Sequence, residues 1–264
     1  MVEIQRRGFL AFAALAAGLS ACGRDAATTQ ASRTFVLVHG ALHGGWCWRR
    51  VARLLRASDA DVFAPTLAGL GQRSHINSPQ IGLSTHIQDV VNCIEFEELE
   101  NVVLVGHSYA GMVITGVAEK IADKLSQLVY LDAVVPRSGK SALDAMGGLQ
   151  MDPAIEMLFA SADTDFGIAD PADLAWVRRR LTPQSARTFR EPLAIQGDLS
   201  KMRRTYIACT ADSGTGSGAD IARRTALART DATWRREDIR TGHDAMVTAP
   251  HAVADLLLDI ARGG

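Results

Sequence analysis

The chain has 264 residues, 47% of them hydrophobic, and a formal net charge of −1. That length and apolar content suit one sizeable domain with its own core, and the near-neutral balance, with arginines scattered among acids, speaks against a nucleic-acid partner. Its four cysteines, Cys22, Cys47, Cys93 and Cys209, form no C-x-x-C pair; this argues against zinc-ribbon and thioredoxin-type chemistry, and no metal or other cofactor is expected.

The first thirty or so residues read as a leader. Residues 1–22 run from a basic start through an apolar middle to small residues. Arg6-Arg7-Gly8-Phe9-Leu10 resembles a twin-arginine export signal, and Leu19-Ser20-Ala21-Cys22 resembles a bacterial lipobox with Cys22 as the lipidated residue. The uncharged stretch Phe9–Leu19 falls short of the roughly twenty residues that a membrane-spanning helix needs. The expectation is an exported, lipid-anchored protein of the cell envelope, with residues 23–33 as a flexible tether and 34–264 as the folded domain.

The domain opens with a strand, Thr34–Val38, running into His39-Gly40-Ala41-Leu42-His43-Gly44-Gly45. A glycine-rich turn straight after a first strand lets backbone approach a bound anion. Neither the Gly-Lys-Ser/Thr ending of a phosphate loop nor G-x-G-x-x-G is present. His39 and His43 read as loop-fixing residues, since no third ligand is spaced for a metal. Apolar residues at helical spacing predict a helix over Trp46–Ala57, a strand follows at Asp61–Ala64, and a second helix spans Ser84–Leu99.

Val102–Gly111 reads Val-Val-Leu-Val-Gly-His-Ser-Tyr-Ala-Gly, with a helix-compatible segment, Met112–Ile121, directly after it. Strand, abrupt turn and helix is the context of a nucleophile elbow, with Ser108 at the tip and small residues, Gly106 and Ala110, two positions to either side. Ala110 departs by one methyl from the usual G-x-S-x-G. The helix N-terminus beneath Ser108 aims N–H groups at developing negative charge.

Leu128–Leu131 is another strand and ends at Asp132. From about 136 to 200 the alternation breaks, which predicts a mostly helical cap inserted between sheet strands. Its Met146, Met151, Met157, Phe159, Phe166, Trp176 and Phe189 either line a pocket or pack the cap down. Arg204–Cys209 resumes the sheet, followed by a helix at Ile221–Leu227, a strand at Thr233–Ile239, the segment Gly242-His243-Asp244 and a closing helix at Pro250–Ala261. Strands alternating with helices predict an α/β fold with a mostly parallel sheet covered on both faces.

Three segments together carry a family resemblance. Phe35–Trp48, Tyr206-Ile207-Ala208-Cys209-Thr210-Ala211-Asp212 and Gly242-His243-Asp244-Ala245-Met246 are similar to the opening, acid-bearing and histidine segments of the α/β-hydrolase superfamily, in its branch of plant methyl-ester esterases, hydroxynitrile lyases and bacterial esterases. The resemblance covers most of 34–262 and is weakest in the cap. It implies a Ser108, Asp212, His243 triad in the chain order of that fold, with the backbone N–H groups of Ala41 and Tyr109 as the oxyanion hole. Asp132 also ends a strand and is the alternative acid. Asp244 reads as loop-fixing, and His107 and His251 as less suited to the base.

The same resemblance separates activities. Related lyases carry threonine at the position of Gly40 and a lysine just past the histidine, whereas no lysine follows Lys201 here. Ester hydrolysis through an acyl-enzyme is therefore expected, on small or medium neutral esters, aromatic ones included. Lyase chemistry, cofactor-free dioxygenation and non-catalytic small-molecule binding are the alternatives on this fold.

Overall fold

A computed structural model of the protein describes residues 33–148, 150–211 and 234–263. The expected export signal, tether, Cys22, Asp212 and the helix at 221–227 lie outside the described residues, apart from Arg33 at the end of the tether, which already belongs to the first strand.

Among the described residues, the main sheet holds β1 (Arg33–Val38), β2 (Ala60–Phe63), β3 (Val102–His107), β4 (Leu125–Leu131), β7 (Arg203–Cys209) and β8 (Trp234–Ile239), in the order β2-β1-β3-β4-β7-β8. Every pairing in it is parallel. The central strands are apolar on both sides because helices cover both faces. On β1, Val36 and Val38 join one core while Phe35 and Leu37 join the other; on β3, Val102 and Leu104 part in the same way from Val103 and Val105. The first core is closed by α2 (Leu83–Phe96) and α3 (Ala110–Ile121), the second by α1 (Arg49–Arg56) and the closing helix α8 (Pro250–Ala261). A short helix, α7 (Ala245–Thr248), precedes α8.

This is the expected doubly covered α/β layout, with element bounds close to those the periodicity predicts. The cap differs from its expected helical content. Among the described residues it holds three short α-helices, α4 (Ala142–Ala145), α5 (Pro171–Arg178) and α6 (Arg187–Arg190), and a two-stranded antiparallel ribbon of β5 (Met157–Leu158) and β6 (Gln184–Ser185). Its chemistry favours short pieces. Ser141 and Asp144 form a capping box on α4, which stops at Gly147 and Gly148, both left-handed; Asp170 caps α5 with Pro171 in its first turn. The cap's apolar residues divide between the two expected roles: Phe189 stacks on Tyr109 at a ring separation of 5.0 Å, while Phe159 is exposed.

Among the described residues, no disulfide joins Cys47, Cys93 or Cys209. Among the described residues, no helix is long and apolar enough to cross a membrane.

Candidate active site

Ser108 sits between the end of β3 and the start of α3 with φ of +55°, a conformation that costs a residue with a side chain roughly 1–2 kcal/mol. Backbone bonds hold it there: its N–H donates to Leu131 O at 3.2 Å, and its carbonyl accepts from Gly111 and Val134 at 3.1 and 2.9 Å. The need for small neighbours is visible. A Cβ on Gly106 would lie 2.8 Å from Ala110 O, and one on Gly111 would lie 1.9 Å from Val134 O. The second clash explains why the glycine just past Ala110 matters: α3 leaves the elbow with its backbone against the segment that follows β4.

His243 lies in the loop after β8. Its Nδ1 donates to Asp132 Oδ2 at 2.7 Å, and Asp132 Oδ1 accepts from Cys209 N at 3.3 Å. Asp132 directly follows β4, the strand beside the one that leads into Ser108. The structure therefore puts Asp132 on the imidazole, whereas the sequence resemblance favoured Asp212, which lies outside the described residues. Two features fix Asp132 in place: its N–H donates to Ile207 O at 2.8 Å, and its φ of +43° swings the side chain off the strand line. A carboxylate on Nδ1 holds the proton there and leaves Nε2 as the basic nitrogen. Burial lowers the pKa of His243, but the hydrogen bond and charge of Asp132, with the charge of Asp244, outweigh it and the net shift is upward.

His107, set aside in the sequence as a poor base, supports the base instead. Its Nε2 donates to His243 O at 3.0 Å, and the two rings lie 4.5 Å apart. Buried and flanked by His243, it is held well below the ordinary histidine range.

The loop 39–43 faces Ser108. A Cβ on Gly40 would fall 2.8 Å from His107 Nδ1 and 3.0 Å from Ser108 Cβ, so this loop abuts the elbow. His39 and His43 each bond a carbonyl of the loop. His39 Nδ1 lies 2.8 Å from Gly40 O, while its Nε2 accepts from Leu67 N at 3.1 Å; the acceptor role of Nε2 makes Nδ1 the donor. Burial pushes His39 down to about 3, in keeping with a neutral ring. His43 donates from Nδ1 to Ala41 O at 2.7 Å and from Nε2 to Asp244 Oδ2 at 3.0 Å. Among the described residues, neither Ala41 N–H nor Tyr109 N–H has an acceptor, the state an oxyanion donor requires.

Sequence reasoning missed two further parts of this loop's surroundings. Trp46 stacks on His43 at 5.3 Å, Phe166 meets its edge at 5.2 Å, and Trp176 closes on Trp46 at 5.1 Å. Gln184 of the cap accepts from Leu42 N at 2.8 Å. Only spatial contact reveals either. Among the described residues, no group of three or more His, Cys, Asp or Glu side chains could hold a metal ion.

Residues 35–256 match the sequence pattern of the Alpha/beta hydrolase family. The chain belongs to that family. This hydrolase is 42% identical over 240 residues to the carbendazim hydrolyzing esterase of a Nocardioides strain, covering 84% of the present chain and 97% of the relative. It is 29% identical over 256 residues to salicylic acid-binding protein 2 of Nicotiana tabacum, covering 86% and 96% of the two chains. An extracellular alpha/beta-hydrolase from a Paenibacillus species shares the fold, with a TM-score of 0.73 at 23% identity, over 86% of this chain and 98% of that one.

Proposed function

We propose that this hydrolase cleaves carboxylic esters with Ser108 as nucleophile, His243 as base and Asp132 as the orienting acid. The hydrogen bond from His243 Nδ1 to Asp132 carries the assignment. Nε2 takes the Ser108 proton as Oγ attacks the ester carbonyl, and the resulting imidazolium is stabilised by Asp132. The N–H groups of Ala41 and Tyr109 receive the oxyanion. Collapse expels the alcohol, which takes its proton from His243; water, activated by the same base, then releases the acid and restores Ser108.

Hydrolysis is favoured over a lyase reaction by Gly40 and by the absence of lysine after Lys201. Small or medium neutral esters are the substrate class, and carbendazim, the compound that the Nocardioides relative is named for hydrolysing, belongs in the first panel. The test is p-nitrophenyl ester turnover before and after a serine-directed phosphonate, beside Ser108→Ala. We expect stoichiometric labelling, loss of activity, and a folded but inactive variant. Turnover by Ser108→Ala near the parent rate would remove Ser108 from the mechanism.

The leader supports a second proposal: export through the twin-arginine signal and anchoring of the enzyme in the cell envelope by acyl chains on Cys22. Cys22→Ala should move the protein from the membrane fraction to the soluble one, and unchanged association would exclude the anchor.

A further inference from the structure

The peptide joining Ala41 to Leu42 is held at both ends by side chains from distant parts of the molecule. Its carbonyl accepts from His43 Nδ1 at 2.7 Å, and its N–H donates to Gln184 Oε1 at 2.8 Å. Leu42 itself is left-handed, with φ of +65°. Turning that peptide over changes ψ of Ala41 and φ of Leu42, and would return Leu42 to the ordinary negative region. Local backbone strain at Leu42 therefore favours the flipped peptide. The two hydrogen bonds oppose it.

Both partners are themselves fixed. His43 faces two acceptors, the Ala41 carbonyl and the Asp244 carboxylate, so both ring nitrogens must carry protons and the pair is an imidazolium with a carboxylate. His43 and Asp244 are both buried. Burial lowers His43, but the charge and hydrogen bond of Asp244 outweigh it and the net shift is upward; Asp244 is correspondingly held below the carboxylate range. Gln184 is buried in the cap, where its amide donates to Thr188 Oγ1 at 2.8 Å, leaving Oε1 for Leu42. Beside it, Thr182 N donates to Leu42 O at 3.0 Å, so the cap grips Leu42 on both its polar groups. On the other side of Ala41, the Gly40 carbonyl is tied to His39. Ala41 thus lies between two pinned peptides, and the first of them contains its N–H.

We propose that His43 with Asp244, and Gln184 of the cap, are positioning residues that prevent the Ala41–Leu42 peptide from flipping and so hold the oxyanion loop in its productive shape. This rests on the ester-hydrolase reading above. It also gives the cap a role in the chemistry: seating of residues 182–184 on Leu42 completes the loop opposite Ser108.

The test compares the parent, Gln184→Met, and His43→Phe combined with Asp244→Leu. The double change keeps a ring against Trp46 and strands no buried carboxylate. Readouts are kcat and KM on p-nitrophenyl acetate, the affinity for a trifluoromethyl ketone that forms a tetrahedral adduct with the serine, and Ser108 labelling. Each lesion should lower kcat about 10- to 100-fold, less than the 10²–10³ for deleting a donor outright. KM should stay within about twofold, and ketone affinity should fall in step with kcat. All three changes together should cost little more than the worse of the two lesions, because both release the same peptide. Parent-like kcat and ketone affinity in folded variants would overturn the proposal, as would costs that simply multiply. Should the His43–Asp244 variant fail to fold, Gln184→Met decides alone: a kcat loss at constant KM with matched loss of ketone affinity supports the clamp, and parent-like values refute it. A parent that neither hydrolyses the ester nor is labelled would indict the ester-hydrolase reading instead.

Discussion

Gly40 is a tight point of the reaction centre. Any side chain there must push on the His107 ring and on Cβ of Ser108, at 2.8 and 3.0 Å. Gly40→Thr should therefore displace the oxyanion loop from the elbow and reduce kcat on a short ester by about 10²–10³ while the sheet stays folded. A parent-like rate would show that the loop tolerates displacement. Asp132 offers an equally direct test. Asp132→Asn keeps the shape but can no longer hold the proton on Nδ1 or stabilise the imidazolium, so kcat should fall by up to roughly 10⁴. Asp212→Asn should cost far less; the reverse ranking would return the acid role to Asp212. The pH profile carries a second signature. The base must be neutral to accept the serine proton, and Asp132 helps to raise its pKa, so the parent's acid limb lies above the ordinary histidine value of 6.5. The residual activity of Asp132→Asn should show that limb at lower pH.

At the scale of elements, the nucleophile depends on how α3 leaves β3. The contact of Gly111 with the Val134 backbone sets the approach of α3 to the chain beyond β4, and Val134 N in turn holds the Ser108 carbonyl. Gly111→Ala puts a methyl 1.9 Å from Val134 O, where backbone must move. We expect a loss of about 1–3 kcal/mol in urea unfolding, as for other overpacked sites, together with a loss of kcat; a variant equal to the parent in both would show that α3 can slide without consequence. Much of this architecture was legible in the chain. Short apolar runs marked the central strands, helical spacing of apolar residues marked α1 and α2, and Gly-His-Ser-Tyr-Ala between a strand and a helix marked the elbow. The cap was less legible because its helices run to eight residues at most and its ribbon spans only two residues per strand, below any periodicity that can be counted. The choice between Asp132 and Asp212 was illegible for another reason. In the sequence each follows a strand-like apolar run, and the reach of Asp132 to His243 depends on its own φ of +43°, which no spacing encodes. The Gln184–Leu42 contact joins positions far apart in the chain through an irregular cap, and nothing local announces it.

For the whole molecule, buried histidines should dominate the response to mild acid. Burial pushes His39 down to about 3 and His86 down to about 4, and His107 is also held well below the usual value. Each is neutral in the folded protein and gains a proton on unfolding once the pH is below 6.5, so each removes stability as the pH falls. His43 and His243 are shifted upward, and the stability they contribute is lost as pH rises through their folded values. Below 6.5 both are protonated, folded or unfolded, and they add no slope there. Three depressed groups at about 1.4 kcal/mol per pH unit each give a limiting slope of roughly 4 kcal/mol per unit between about pH 5 and 6. His86 isolates one of them. Its hydrogen bonds go outside the loop of His39 and His43, with Nε2 on Ala68 O at 3.1 Å and Nδ1 on Tyr109 Oη at 3.1 Å. Glutamine can keep a donor for the Ala68 carbonyl and has no proton to gain. Urea unfolding of His86→Gln as a function of pH should therefore show a slope about one third smaller than the parent's, with the curves converging toward acid. An undiminished slope would mean that the imidazole is already protonated in the folded protein, and that its bonds to Ala68 and Tyr109 are those of a cation.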